Sequence, residues 1–151
     1  YKLIGADYSQ IELRILAHYA EVKNLIESFK NGIDIHTETA KKVFGTDEIT
    51  SDMRRQAKII NFSIVYGTTS FGLSKRLNSS KHIADVYMKN YFALYPEIKQ
   101  YMSNMVDFVK ENGYTKTLFG RKCYIDLASS KARSSHAKVI EIDKNTVKKT
   151  N

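Results

Sequence analysis

In the stretch MRRQAKIINFSIVYG, Arg54, Lys58, Phe62 and Tyr66 recur every fourth residue, and Gly67 follows directly. At about 100° per residue such positions drift only about 40° per step, so two cations and two aromatics share one side of a single helix. Met53, Ala57, Ile60 and Ile64 form an apolar stripe, and Phe62 falls almost opposite it. The stripe accounts for burial against a core. An aromatic flanked by cations on the far side is explained by a ligand that is anionic at one end and flat and apolar at the other. The competing explanation is a second apolar face with Arg54 and Lys58 simply solvated.

The charge balance favours a polyanionic partner: 24 Lys and Arg against 16 Asp and Glu give a formal net charge of +8. The single Cys123 excludes an internal disulfide and suits a reducing compartment. No run approaches the roughly 18 apolar residues of a membrane span, and the N-terminus lacks the layout of a signal peptide. The expectation is a soluble, cytoplasmic chain with no membrane partner. With 151 residues it could bury one modest core, and Tyr1 in place of Met points to a fragment.

Along the chain, KLIGADY (residues 2–8) reads as a short strand ending in a carboxylate. Residues 10–20 read as a helix apolar nearly all round, hence buried on several sides. Short helices are expected around 24–30 and 36–44, stopped by Gly32 and Gly45. Ser51 or Asp52 would cap the central helix, placing Arg54 and Arg55 in its first turn. Cations at a helix N-terminus oppose the macrodipole and make sense when an anion shares that end. The helix breaks at Gly67, Thr68 and Thr69 and resumes over 70–77. A helix over 81–95 ends before Pro96, the only proline, which opens a long helix to Asn112 with Gly113 just past it. Residues 114–125 resemble a β-hairpin around Gly120 and Arg121. Tyr87, Tyr91, Tyr95 and Tyr101 are expected to pack the helical pair. From Ala128 the pattern fades into a polar tail, expected to be mobile.

Several residues could carry chemistry. Asp7, beside the carbonyl of Tyr8, offers hard oxygen ligands of the kind Mg²⁺ takes alongside phosphate oxygens; a strand-terminating or capping Asp is the plainer alternative. Glu12 and Arg14 sit in an otherwise apolar helix, where charges need partners, as in a structural ion pair. His18, His36, His82 and His136 have no metal-ligand spacing to one another or to Cys123, which excludes a zinc site of familiar type. No nucleophile elbow, P-loop or dinucleotide fingerprint is present. Arg121 and Lys122 read as solvated hairpin charges.

DYSQIELRILAH (residues 7–18) resembles the first catalytic motif of family A DNA polymerases, and RRQAKIINFSIVYG (54–67) is similar to that family's fingers helix. DIHTETAKKVFG, SFGLSKRL and TLFGRK follow the family's order, so the resemblance covers about residues 2–126. It implies an α+β, mainly helical fold: a partial palm strand and hairpin with the helical fingers subdomain of a right-hand polymerase, over 1–127, followed by an unaligned tail over 128–151. It implies DNA-templated transfer of dNTPs to a primer 3′-hydroxyl by a monomer working at the bacterial nucleoid on primer-template DNA, with two Mg²⁺ ions.

The same resemblance assigns roles. Asp7 and the Tyr8 carbonyl would bind metal. Asp7 and Lys58 would be catalytic, with Arg54 and Lys58 holding the triphosphate. Glu12 would crowd a ribose 2′-hydroxyl, Phe62 would lie against the sugar, and Gln10 would join the substrate contacts. Tyr66 and Arg121 would touch DNA. Three departures stand out. Ser63 occupies a position where Gly is usual, the tail does not align, and the His-Asp-Glu motif with the second catalytic aspartate is absent, His136 being followed by Ala137 and Lys138. The thumb is missing from the match as well. The isolated chain is therefore expected to be inactive. A non-catalytic nucleotide- or nucleic-acid-binding fragment is the alternative, and Glu12 argues against the related single-subunit RNA polymerases.

Overall fold

The computed structural model describes residues 2–126, and the tail expected over 128–151, with His136 and Asp143, lies outside the described residues. Seven helices and one two-stranded sheet make up the described residues: α1 (Ile11–Tyr19), α2 (Lys23–Lys30), α3 (Ile35–Phe44), α4 (Ser51–Val65), α5 (Ser70–Leu77), α6 (Lys81–Leu94), α7 (Pro96–Asn112), β1 (Tyr114–Lys116) and β2 (Lys122–Tyr124). The fold is α+β and mainly helical. It divides into two compact units, residues 2–98 and 99–126, with the boundary inside α7.

The first unit is built around α4. Thr50 caps it by accepting a hydrogen bond from the Met53 amide at 3.2 Å, one residue ahead of the expected Ser51 or Asp52. Asp52 instead holds Arg55 and Gln56 on the helix surface. The stripe works as its spacing requires: Ala57, Ile60 and Ile64 are buried, and Met53 is half-buried at the end of the row. Against this stripe pack α1, α3, α5 and α6, bringing Leu13, Ile35, Leu73 and Tyr91 into one core. Asn61 and Ser63 are buried as well, which the stripe alone does not explain. The Ser63 hydroxyl, where the resemblance expects Gly, has no hydrogen-bond partner.

Boundaries follow capping chemistry. Asp34 caps α3 by accepting from the His36 amide, and Gly45 closes it with φ of 71°, a left-handed conformation that glycine adopts without strain. Pro96 opens α7, where its missing N–H is not needed. Between α4 and α5 the chain turns at Gly67, and Thr69 caps α5 through the Gly72 amide. A Cβ on Gly72 would meet the Thr68 methyl at 2.7 Å, so that turn is packed tightly against its own helix.

Four expectations fail. Residues 2–8 form no strand and are exposed. A strand needs an edge to pair with, and the sheet among the described residues is the β1–β2 hairpin of the second unit. Helix α1 is not buried all round: Leu13 and Ala17 face the core, whereas Ile11 and Ile15 are 37% and 46% exposed. Glu12 and Arg14 form no ion pair; Arg14 donates to the Ser9 carbonyl at 2.9 Å and lies 4.4 Å above the Phe29 ring. Tyr87, expected in the helical pair, meets Phe44 of α3 edge-on at 5.0 Å.

In the second unit β1 and β2 pair antiparallel with Tyr114 opposite Tyr124 and Lys116 opposite Lys122. Hydrogen bonds from the Thr117 amide to the Arg121 carbonyl and from the Gly120 amide to the Thr117 carbonyl close the turn. Tyr114 is edge-on to Phe108 and Tyr124, with the Lys122 ammonium 4.4 Å over its ring.

Candidate nucleotide site

A cleft of about 370 Å³ is lined by Asp7, Tyr8, Gln10, Ile11, Glu12, His36, Arg54, Lys58 and Phe62. Three elements converge there. The extended segment before α1 brings Asp7 and Tyr8 to the α1 N-terminus, α3 contributes His36 from its first turn, and α4 contributes Arg54, Lys58 and Phe62 one turn apart. Gln10 turns the chain into α1 in a left-handed conformation, φ 54° and ψ 39°, that a residue with a Cβ adopts only under strain. Its side-chain oxygen is buried without a partner.

The two cations differ. Arg54 donates to the Asp34 carboxylate at 2.6 Å, while Lys58 has no acidic partner among the described residues. Partial burial would raise the Asp34 carboxyl, but hydrogen bonds from Arg54 and Thr37, the Arg54 charge and the His36 amide outweigh it and hold it at about 2. His36 is pushed the other way. Burial lowers its pKa, and although Asp34 works to raise it, the Arg54 and Lys58 charges add to the lowering, which favours the neutral ring. Its centroid lies 6.0 Å from that of Phe62.

Of the residues singled out from sequence, Asp7, Tyr8, Gln10, Glu12, Arg54, Lys58 and Phe62 all line this cleft. Tyr66 does not, but its hydroxyl donates to Glu12 Oε1 at 3.3 Å and so ties the end of α4 to the start of α1. Arg121 lies on the exposed hairpin turn of the second unit. His36 was missed as a site residue. No local spacing singles it out, because its buried partner Asn61 lies on another helix.

A larger cleft of about 470 Å³ flanks α4 on another side, lined by Arg55, Lys58, Ile59, Phe62 and Arg76. It offers cations and an aromatic but no oxygen ligand, so it lacks the chemical variety of the first.

For a divalent cation, the Asp7 carboxylate and the Tyr8 carbonyl are oxygens of the required kind. No group of three or more His, Cys, Asp or Glu that could hold a metal occurs among the described residues. The set fits one ion shared with phosphate oxygens and falls short of a two-ion centre.

Cations, an aromatic, an imidazole and an acid-bearing turn thus line one cleft. The sequence model of DNA polymerase family A matches residues 1–147. DNA polymerase I of Caldicellulosiruptor bescii is 51% identical over 125 residues, covering 82% of this chain and 15% of that protein. The Geobacillus stearothermophilus enzyme of the same name is 50% identical over 82% of this chain and 14% of its own length. The Pseudomonas aeruginosa one is 44% identical over 133 residues, 87% of this chain and 15% of that protein. A solved structure, the POL domain of Pol1 from M. smegmatis in complex with DNA primer-template and dNTP, superposes with a TM-score of 0.72 at 38% identity, covering 78% of this chain and 21% of that one. The chain belongs to DNA polymerase family A. It spans about one seventh of the length of the DNA polymerase I relatives it matches.

Proposed function

We propose that this chain carries the incoming-nucleotide site of a DNA-templated DNA polymerase, with a dNTP and primer-template DNA as its ligands. The observation that carries the proposal is the cleft itself, which gathers residues from three separate segments into the order a nucleotide needs. Lys58, with no acidic partner among the described residues, and Arg54 face the triphosphate. His36, neutral and hydrogen-bearing, suits a phosphate oxygen, and Phe62 supplies a flat surface for the sugar and base. Glu12, held by Tyr66, sits where a ribose 2′-hydroxyl would be crowded. Tyr66 and the hairpin's Arg121 are assigned to DNA contacts, with the chain acting as a monomer at the bacterial nucleoid. Residues 1–127 would be the palm and fingers portion, and 128–151 a separate tail.

Asp7 and Tyr8 would hold Mg²⁺ together with phosphate oxygens, and when bound that ion neutralises phosphate charge. Everything else falls to the chain's own groups: the two cations orient the phosphates, and Phe62 and Glu12 set the sugar between them. Reading of a template is not built into this cleft.

Calorimetric titration of the chain with dATP and Mg²⁺ tests the proposal. Lys58→Ala should weaken dATP binding by about tenfold to a hundredfold, the worth of a hydrogen bond to a charged group, and leave primer-template affinity much less affected. Equal losses for both ligands would place Lys58 on the DNA backbone and refute the assignment.

A further inference from the structure

His36 of the cleft heads a buried row of polar side chains whose other two members the nucleotide reading does not use. His36, Thr39 and Asn61 are 3%, 0% and 0% exposed. The Thr39 hydroxyl lies 3.2 Å from Asn61 Oδ1, and Asn61 Nδ2 lies 2.9 Å from His36 Nδ1. Of the two directions this row could take, the observed amide orientation selects one. A Thr hydroxyl can donate to the amide oxygen, which leaves the amide nitrogen, a donor only, facing His36. A neutral imidazole receiving a hydrogen bond at Nδ1 must carry its own hydrogen at Nε2. Turning the amide over would set its nitrogen against the Thr39 hydroxyl and its oxygen against Nδ1. The row would still be possible, with every hydrogen reversed, but the ring would then present a bare Nε2 lone pair.

We propose that Asn61, oriented by Thr39, is a positioning residue that fixes His36 as its Nε2–H tautomer and thereby makes the cleft-lining ring a hydrogen-bond donor. The consequence for recognition rests on the nucleotide reading above. Phosphate oxygens only accept, so an Nε2–H attracts them and a bare Nε2 repels them. Asn61 never touches the ligand. Its burial on α4, one residue before Phe62, explains why a polar side chain occupies a position that the apolar stripe does not require.

The full 151-residue chain, labelled with ¹⁵N at histidine, provides the test. Nitrogen shifts of His36 near neutral pH should show Nδ1 bare and Nε2 protonated. Asn61→Asp places an acceptor against Nδ1 and should move that nitrogen into the protonated range. Thr39→Val, nearly the same in shape, should free the Asn61 amide and give a mixture of tautomers. Either variant suffices if the other fails to fold, as checked by its amide spectrum. In Thr39→Val, dATP binding should fall several-fold, in proportion to the lost Nε2–H form.

A wild-type His36 protonated at Nδ1, or folded variants that keep the wild-type tautomer, would overturn the proposal. Unchanged dATP affinity in Thr39→Val despite a mixed tautomer would overturn the positioning role. Failure of the wild-type chain to bind dATP at all would refute the nucleotide reading and the positioning role with it, while the nitrogen shifts still decide the tautomer lock separately.

Discussion

Asp34 shows how much one side chain can do at the level of a residue. It caps α3 through the His36 amide, accepts from the Thr37 hydroxyl at 2.6 Å and pairs with Arg54. Its folded pKa, at about 2, is below the ordinary value near 3.9, so the unfolded chain takes up the proton first. The stabilisation is therefore complete above about pH 5 and is lost as the pH falls from about 4 toward 2. Thermal melts of the wild type and Asp34→Asn should differ at pH 6 and converge near pH 2. A constant difference across that range would contradict the linkage. The partly exposed pair with Arg54 is screened by salt, so the gap should also narrow in 1 M NaCl. Glu12 is the other residue with a distinct expected effect. If Glu12 crowds the 2′-hydroxyl as proposed, Glu12→Ala should bring the affinity for ATP close to that for dATP. Competitive titration of the two nucleotides reads the ratio.

At the level of elements, α4 carries the site, and its N-terminal turn decides whether Arg54 is in place. Thr50→Ala removes the Met53 amide's partner and should cost about 1 kcal/mol of stability. Thr50→Ser should restore it, which urea denaturation would show. The spacing of α4 was legible because about 3.6 residues per turn bring positions four apart back to nearly the same face. Gly45, Pro96 and Gly113 marked their helix ends for equally local reasons. The first segment was misread because a strand is not a local object: KLIGADY has the composition of one, yet pairing depends on an edge elsewhere. His36 escaped notice for a related reason. Its importance depends on Asn61, 25 positions away, and no pattern along either helix links the two.

For the molecule as a whole, composition pointed to an anionic partner, and the cations Arg54, Lys58, Arg55 and Arg76 do gather on the flanks of α4. What sequence showed of the site came through matching motifs, each of them contiguous. What it left obscure was burial, as with Ser63 and the exposed face of α1, because burial depends on every neighbour at once. The described residues place one free carboxylate, Asp7, at the cleft, short of a two-ion centre. Primer-extension assays on the purified 151-residue chain should accordingly yield no product above a catalyst-free control. Templated incorporation that disappears with Asp7→Ala would show that this inference about the metal centre is wrong.

The double duty of Asp34 has a kinetic side. Any anion that draws Arg54 away from Asp34 exchanges one negative partner for another on the same guanidinium. The capping bonds to Thr37 and the His36 amide do not involve that arginine, so α3 keeps its first turn while the swap takes place. On the proposed function, filling and emptying the cleft would thereby be decoupled from fraying of the helix that holds His36, and the arginine would change hands at a cost far below that of unwinding its support.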